Sequence, residues 1–187
     1  MMIIHKRKIL LVLVFLIFIT AFILFLCFRP ISQSSVNQKR NTQYLSQPFS
    51  ASASIHMGEV SAVADINRTA ADQFTFCFQQ PSSLNGLTLA YSANMVGISY
   101  HGMSVNTSQD SLLAKGIGAV IMKTLDAAAS QKGINIEHED GFLSLNGTSE
   151  YGQFCVKLEE ETGALLEISI PEMDLECCFS NVNQSKS

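Results

Sequence analysis

One apolar segment near the N-terminus limits where this chain can fold. Residues 9–28 read ILLVLVFLIFITAFILFLCF, a run of twenty without a charged residue, glycine or proline. At about 1.5 Å of rise per helical residue the run spans about 30 Å, the hydrocarbon thickness of a bilayer. We therefore predict a transmembrane anchor at residues 9–28. The 187-residue chain then leaves room for one ordinary domain after it.

Two other interpretations of this segment stay open. A cleaved signal peptide usually has a shorter apolar stretch of about 7–15 residues, followed by a site of small residues. Here the run ends in Leu26, Cys27 and Phe28. A lipoprotein signal would lead to acylation of Cys27, but it requires small residues just before the cysteine, where Phe25 and Leu26 stand.

The charges around the anchor predict its orientation. Lys6, Arg7 and Lys8 precede it and favour a cytoplasmic tail at residues 1–8, although Lys39 and Arg40 beyond it weaken this bias. We expect a single-pass protein of the cell membrane whose C-terminal domain is extracytoplasmic.

The charge of the remaining chain excludes one class of partner. All sixteen Asp and Glu residues follow residue 58, whereas only eight of the twelve Lys and Arg residues follow Pro30, so this part has a net charge of −8. A nucleic-acid-binding surface needs Lys and Arg to neutralise phosphates. We therefore expect no nucleic-acid partner.

Composition and periodicity set the predicted domain limits. Residues 29–48 are rich in Ser, Gln and Asn without apolar periodicity, which is typical of a flexible linker. From residue 49 apolar and polar residues alternate in short runs, the pattern of half-buried strands. We predict a domain at 49–182 and a disordered tail at 183–187. Predicted strands before the helix lie near residues 52–57, 59–66, 73–79, 87–91 and 95–100.

One helix is predicted in the middle of the domain. Thr107 or Ser108 can cap it, Asp110 favours its first turn, and Gly133 ends it. The absence of a side chain at Gly116 would let it lie close to a sheet. The residues on its apolar side are Leu112, Leu113, Gly116, Ile117, Val120, Ile121, Thr124, Leu125 and Ala128.

Strands return after the helix, near residues 142–146, 151–159, 164–170 and 173–179. The order of strands, one long helix and strands predicts an α+β fold. In this fold a curved antiparallel β-sheet, a half-barrel, packs on one long α-helix, and the transmembrane helix precedes it.

Several short sequences occur in a recognisable order. A strand leads into residues 81–89, PSSLNGLTL, and residues 98–103 follow as ISYHGM. The helix with residues 125–128, LDAA, and the hairpin at 168–179 come next. This order and these sequences resemble the LolA/LppX-like lipoprotein-carrier superfamily, in particular membrane-attached members of Gram-positive bacteria. The resemblance covers about residues 50–182 and includes no catalytic signature.

The resemblance implies a half-open β-barrel closed by helices, with an apolar cavity for acyl chains. It implies a non-enzymatic, membrane-anchored module that binds lipid or lipoprotein. An envelope or spore adaptor that binds a protein partner through a filled core is the alternative. The same apolar residues would pack against one another in an ordinary core. The candidate lining residues are Phe74, Phe76, Phe78, Leu87, Leu89, Ile98, Ile117, Val120, Ile121, Leu166, Ile168 and Ile170.

No other group of residues predicts catalysis, a metal site or a cofactor. Residues 137–140, Glu-His-Glu-Asp, are the one cluster with metal-ligand chemistry, but adjacent side chains of a strand point to opposite faces. We expect a solvated loop or edge strand there. His56 and His101 stand apart from any recognisable nucleophile arrangement.

The cysteines predict no zinc site. They are Cys27 in the anchor, then Cys77, Cys155, Cys177 and Cys178. Alternation places Cys177 on an apolar face and the other three domain cysteines on polar faces. Free thiols and one cross-strand disulfide both stay open, because connectivity cannot be read from sequence.

Overall fold

A computed structural model describes residues 44–92, 94–108 and 116–184. Within these ranges the chain forms eleven strands and one α-helix, so the predicted α+β class is confirmed. The predicted tail 1–8, the anchor 9–28 with Cys27, and most of the linker lie outside the described residues. No helix within those residues has the length and apolar character needed to span a bilayer.

The strands are β1 (Phe49–Met57), β2 (Val60–Ala70), β3 (Gln73–Gln80), β4 (Thr88–Ser92), β5 (Met95–Tyr100), β6 (Met103–Ser108), β7 (Asn135–Glu139), β8 (Phe142–Ser149), β9 (Gly152–Glu159), β10 (Leu165–Ile170) and β11 (Leu175–Gln184). The helix α1 is Ile117–Ser130, between β6 and β7 in the sequence.

The strands form one open antiparallel sheet in the order β6-β5-β4-β3-β2-β1-β11-β10-β9-β8-β7. Except for β6 and β7, strands that follow each other in sequence pair with each other, and β1 pairs with β11 to join the two halves. The two strands on either side of α1 in the sequence, β6 and β7, therefore lie at opposite edges of the sheet.

The strands bury one face because their side chains alternate. In β1 Phe49, Ala51, Ala53 and Ile55 are buried, while the intervening residues are Ser50, Ser52, Ser54 and His56. We call the face with the buried side chains the inner face and the other the outer face. Directly opposed residues of paired strands share a face, so the registers assign the paired residues of each strand to one of the two faces.

The sheet curves around α1. Gly118 of the helix lies against Tyr91 of β4, and Lys123, five residues later, has its Nζ atom 2.5 Å from Oε1 of Glu150 and 5.9 Å from the centre of the Tyr151 ring. Five residues of α-helix span about 7.5 Å. Glu150 and Tyr151 directly precede β9. In a flat sheet β4 and β9 would be six strand spacings, or about 29 Å, apart. The sheet must therefore curve for one short stretch of helix to contact both. Tyr151 is also close enough to help raise the pKa of Tyr91.

The predicted start of the helix is wrong. Thr107 and Ser108 belong to β6, and α1 begins after Gly116, which caps it without a side-chain hydrogen bond. The reason is a two-residue hairpin: His101 and Gly102 both have positive φ, 45° and 83°, which is the turn geometry that matches the twist of paired strands. Asp110, Leu112 and Leu113 lie outside the described residues.

The folded region extends past both predicted limits. Tyr44–Ser46 forms a short 3₁₀-helix inside the predicted linker, with Leu45 buried, and β11 continues to Gln184 inside the predicted tail. Residues 137–139 of the Glu-His-Glu-Asp cluster lie in the edge strand β7.

A buried arginine connects three elements. Arg68 of β2 is 1% exposed; its guanidinium donates to Oδ1 of Asp126 in α1 at 2.6 Å and to the Leu45 carbonyl, and it lies 5.1 Å from the centre of the Phe74 ring. Burial lowers the pKa of Arg68 and raises that of Asp126, while the opposite charge of each partner counteracts both shifts. This pair joins β2, α1 and the segment before β1.

Candidate functional site

The predicted lining residues fall into two groups. Seven of the twelve are buried with at most 3% exposure, so other protein atoms pack against them. This part of the predicted site is an ordinary core. The seven are Phe74, Phe76, Phe78, Val120, Ile121, Ile168 and Ile170.

The other five residues are half-buried, and four of them pack at the border of the core: Leu87, Leu89, Ile98 and Ile117. Leu166 differs from these. It stands at a register shift between β9 and β10, and its neighbour Leu165 is the buried residue. The alternation expected for β10 is broken there, so Leu166 is not part of the inner-face row.

An apolar row leads from the core to the edge of the sheet. Phe76, Leu89, Ile98 and Val105 oppose one another in turn across β3, β4, β5 and β6. Their exposure rises from 0% at Phe76 to 55% at Val105. Along this row the inner face of β4–β6 is therefore apolar and increasingly accessible, while Phe76 of β3, and Tyr91 and Val96 further along β4 and β5, are buried.

Met103 extends this accessible surface. It opposes Tyr100 of β5, lies on the inner face and is 69% exposed. Met103 and Val105 were not predicted as site residues, because their neighbours Thr107 and Ser108 were assigned to a helix cap. We use the name open wing for the inner-face residues Leu87, Leu89, Ile98, Met103 and Val105.

The open wing belongs to an uncharged stretch of chain. Residues 73–109 are thirty-seven consecutive residues without an Asp, Glu, Lys or Arg. They include all of β3–β6. In a domain with a large excess of carboxylates, this absence leaves one part of the surface without fixed charge. The charge-free run is the sequence signal by which the open wing could have been found.

The N-terminal end of α1 packs against the border of the open wing. A Cβ atom at Gly118 would lie 2.9 Å from the phenol oxygen of Tyr91, closer than real Cβ atoms come, and 3.2 Å from the Phe76 ring, tighter than most real contacts. Gly118, not the predicted Gly116, is thus the glycine that allows close packing, since nothing lies within 4 Å of a Cβ at Gly116. Burial raises the pKa of Tyr91 to about 12.

His101 lies in the turn between β5 and β6 with its ring centre 4.2 Å from that of Tyr100, whereas the other described histidines and the acidic residues lie away from the open wing. His138 of β7 has its Nδ1 atom 2.9 Å from Oε1 of Glu160, and the two side chains are 39% and 43% exposed. Among the described residues no three His, Cys, Asp or Glu side chains are grouped to hold a metal ion. His56 lies 2.9 Å from the Ser61 hydroxyl on the exposed outer face, a neighbour that the sequence did not indicate.

The four domain cysteines are free thiols in the structure. Cys177 is fully buried on the inner face, whereas Cys178 is exposed and Cys77 and Cys155 are half-buried. The faces predicted from alternation are confirmed. Burial raises the pKa of Cys177, which makes its thiol a poor nucleophile.

A surface groove of about 780 Å³ lies beside the N-terminal segment, away from the open wing. Polar groups such as Gln47, Glu159 and Thr162 line it, together with Tyr44 and Val182. The lining is mixed, because Tyr44, Ala164 and Val182 add apolar surface beside these polar groups.

Comparisons with known proteins identify similar folds. No family model matches the sequence, and no curated protein matches it. The structure is similar to that of an uncharacterized conserved protein from Thermus thermophilus, with 14% identity over 83% of this chain and 90% of that chain and a TM-score of 0.55. A LolA superfamily protein from Nitrosomonas europaea has 10% identity over 84% and 95% of the two chains, with a TM-score of 0.44. The lipoprotein LppX from Mycobacterium tuberculosis has 11% identity over 83% and 99%, with a TM-score of 0.41.

The likeness to the Thermus protein shows a shared fold and nothing about activity. The LolA superfamily and LppX, the group that the sequence resembles, are among the structures similar to this chain.

Proposed function

We propose that this domain binds the acyl chain of a lipid or lipoprotein on the open wing, and that residues 9–28 hold it at the outer side of the cell membrane. The observation that carries the proposal is the row from Phe76 to Val105. Its first residue is buried, its last is 55% exposed, and its strands contain no charged residue. No reaction is part of this function.

Burial of apolar surface supplies the binding energy. Each methylene removed from water contributes about 0.8 kcal/mol, so contact with about six methylenes contributes about 5 kcal/mol before the cost of ordering the chain. Val105 and Met103 are more than half exposed, so they can bury surface against a ligand without first leaving the core.

Native mass spectrometry of the compact unit Gln38–Ser187 tests the proposal directly. This unit keeps Leu45, which a fragment starting at residue 49 would lose. We expect co-purified lipid, and saturable binding of a fluorescent fatty acid after the lipid is removed.

Two pairs of matched substitutions locate the site. V105Q and M103Q place amides on the open wing, at residues that are 55% and 69% exposed. V60Q and M95Q change exposed residues, at 52% and 48%, on β2 and on the outer face of β5. Replacing one buried apolar side chain costs about 1.5 kcal/mol, so each wing variant should bind about tenfold more weakly. The two control variants should bind like the wild type. Equal losses in both pairs, or no saturable binding by the wild type, would contradict the proposal.

A protein-binding adaptor is the second candidate function. The observation that favours it is the tight packing of seven of the predicted lining residues, which leaves the central inner face filled. Absence of bound lipid together with a stoichiometric complex with an envelope protein would support it.

A further inference from the structure

The two edges of the sheet differ in charge. The edge strand β7 reads NIEHE and carries Glu137 and Glu139, whereas the edge strand β6 reads MSVNTS and has no charged residue. Natural sheets usually protect their edges with charged side chains, because an unprotected edge offers backbone groups for pairing with another strand. By this criterion β7 is protected and β6 is not.

The charge pattern also favours a second copy of this chain as the added strand. The part after Pro30 has a net charge of −8, so two copies repel each other over most of their surfaces. The exception is the uncharged stretch at residues 73–109, where no carboxylate of one copy can oppose a carboxylate of the other. The edge β6 lies within this stretch.

We propose that β6 pairs antiparallel with β6 of a second copy, around a two-fold axis that passes through Val105. Val105 and Met103 lie on the inner face, as does Thr107, while Ser104 and Asn106 lie on the outer face. Opposed residues must share a face. A symmetric register therefore places Val105 opposite Val105, Met103 opposite Thr107 and Ser104 opposite Asn106.

This pairing extends the sheet and its apolar row. The row Phe76, Leu89, Ile98 and Val105 would continue into the same residues of the second copy in reverse order. A six-residue strand buries less area than the roughly 1,200 Å² of a stable interface. We therefore expect a weak dimer, which forms when chains are concentrated, for example in one membrane plane.

Disulfide cross-linking of the full chain in mild detergent tests the pairing. Opposed residues of antiparallel strands have Cα atoms about 4.5–5.5 Å apart, within the range that a disulfide bridges. V105C should thus form a covalent dimer under mild oxidation. In S104C the two cysteines would be displaced by two residues along the strands and lie roughly 8 Å apart, too far for a disulfide.

The controls separate pairing from random collision. V60C replaces a valine of similar exposure on β2, and the wild type reports the native cysteines. We expect at least fivefold more dimer from V105C than from S104C, V60C or the wild type. The double variant S104C/N106C should also cross-link, and adding V105K to it should remove the effect by placing a charge at the edge.

Equal cross-linking of V105C and V60C would overturn the proposal, as would more dimer from S104C than from V105C. None of these results depends on bound lipid, so the pairing and the acyl-binding function can fail separately.

Discussion

Gly118 of α1 lies so close to Tyr91 of β4 that a Cβ atom there would be 2.9 Å from the phenol oxygen. Tyr91 and the adjacent Phe76 are both buried, so a shift of either displaces other core residues. We expect G118S to lower the free energy of unfolding by about 1–3 kcal/mol, because it overpacks the core. Urea denaturation followed by circular dichroism measures this change.

The same substitution two residues earlier is the control. Nothing lies within 4 Å of a Cβ at Gly116, which is the helix N-cap, a position where serine is favoured. G116S should change the free energy of unfolding by less than about 0.5 kcal/mol, or raise it. Equal destabilisation by both variants would show that the contact with Tyr91 is not the cause.

Tyr91 predicts a loss of stability in alkaline solution. Burial raises its pKa from 10.0 to about 12, a hydrogen bond from the Ala119 backbone opposes this, and Tyr151 adds to it. Because the folded pKa is above the unfolded one, the contribution of Tyr91 is complete below pH 10 and is lost as the pH rises towards 12. The slope in this window is at most about 1.4 kcal/mol per pH unit. Urea midpoints at pH 8 and pH 11 should therefore differ less for Y91F than for the wild type, and identical differences would contradict the shift.

The buried pair of Arg68 and Asp126 predicts strong coupling. D126N leaves the Arg68 charge buried without its partner and should lower the free energy of unfolding by about 2–4 kcal/mol. The double variant R68M/D126L should cost less than the sum of R68M and D126L. Equilibrium denaturation of these variants gives the coupling energy.

An exposed pair provides the comparison. Lys123 and Glu150 have side chains that are 43% and 58% exposed, so E150Q should change the free energy of unfolding by less than about 1 kcal/mol. Additive effects at Arg68 and Asp126 would mean that their 2.6 Å contact has no role in stability.

The fold was predictable where one face of an element is buried. Alternation identified β3, for instance, because Phe74, Phe76 and Phe78 each contact the core while Thr75 and Cys77 do not. The change in pattern predicted the domain limit at residue 49, where β1 begins, although the strand itself was predicted only from residue 52. Element order then gave the α+β class.

The candidate site was less predictable, because alternation reports a face and not what covers it. Phe76 and Ile98 follow the same pattern, yet Phe76 is buried and Ile98 is a half-buried residue of the open wing. The strand β6 was missed because His101 and Gly102 form a hairpin turn through positive φ at a non-glycine residue. Leu45 was missed because a single buried residue has no periodicity.

The cysteines should react in the order of their accessibility. Cys178 is exposed, Cys77 and Cys155 are half-buried and Cys177 is buried. With iodoacetamide under native conditions we expect Cys178 to be alkylated first and Cys177 only after unfolding, as peptide mass spectrometry would show. Burial raises the pKa of Cys178 as well, and Glu176 adds to this, so a reaction over hours near neutral pH is expected. Early alkylation of Cys177 would contradict its placement in the core.

Leu45 predicts that the folded domain needs residues before β1. Its side chain is 2% exposed, and its carbonyl accepts a hydrogen bond from Arg68. L45A should lower the free energy of unfolding by about 2–4 kcal/mol through the cavity that it leaves. The neighbouring exposed residue gives the control S46A, which should have little effect. Since removal of the segment also takes away a partner of a buried guanidinium, a fragment that starts at residue 49 should be less stable than L45A itself. A fragment as stable as Gln38–Ser187 would show that the 3₁₀-helix contributes nothing to the core.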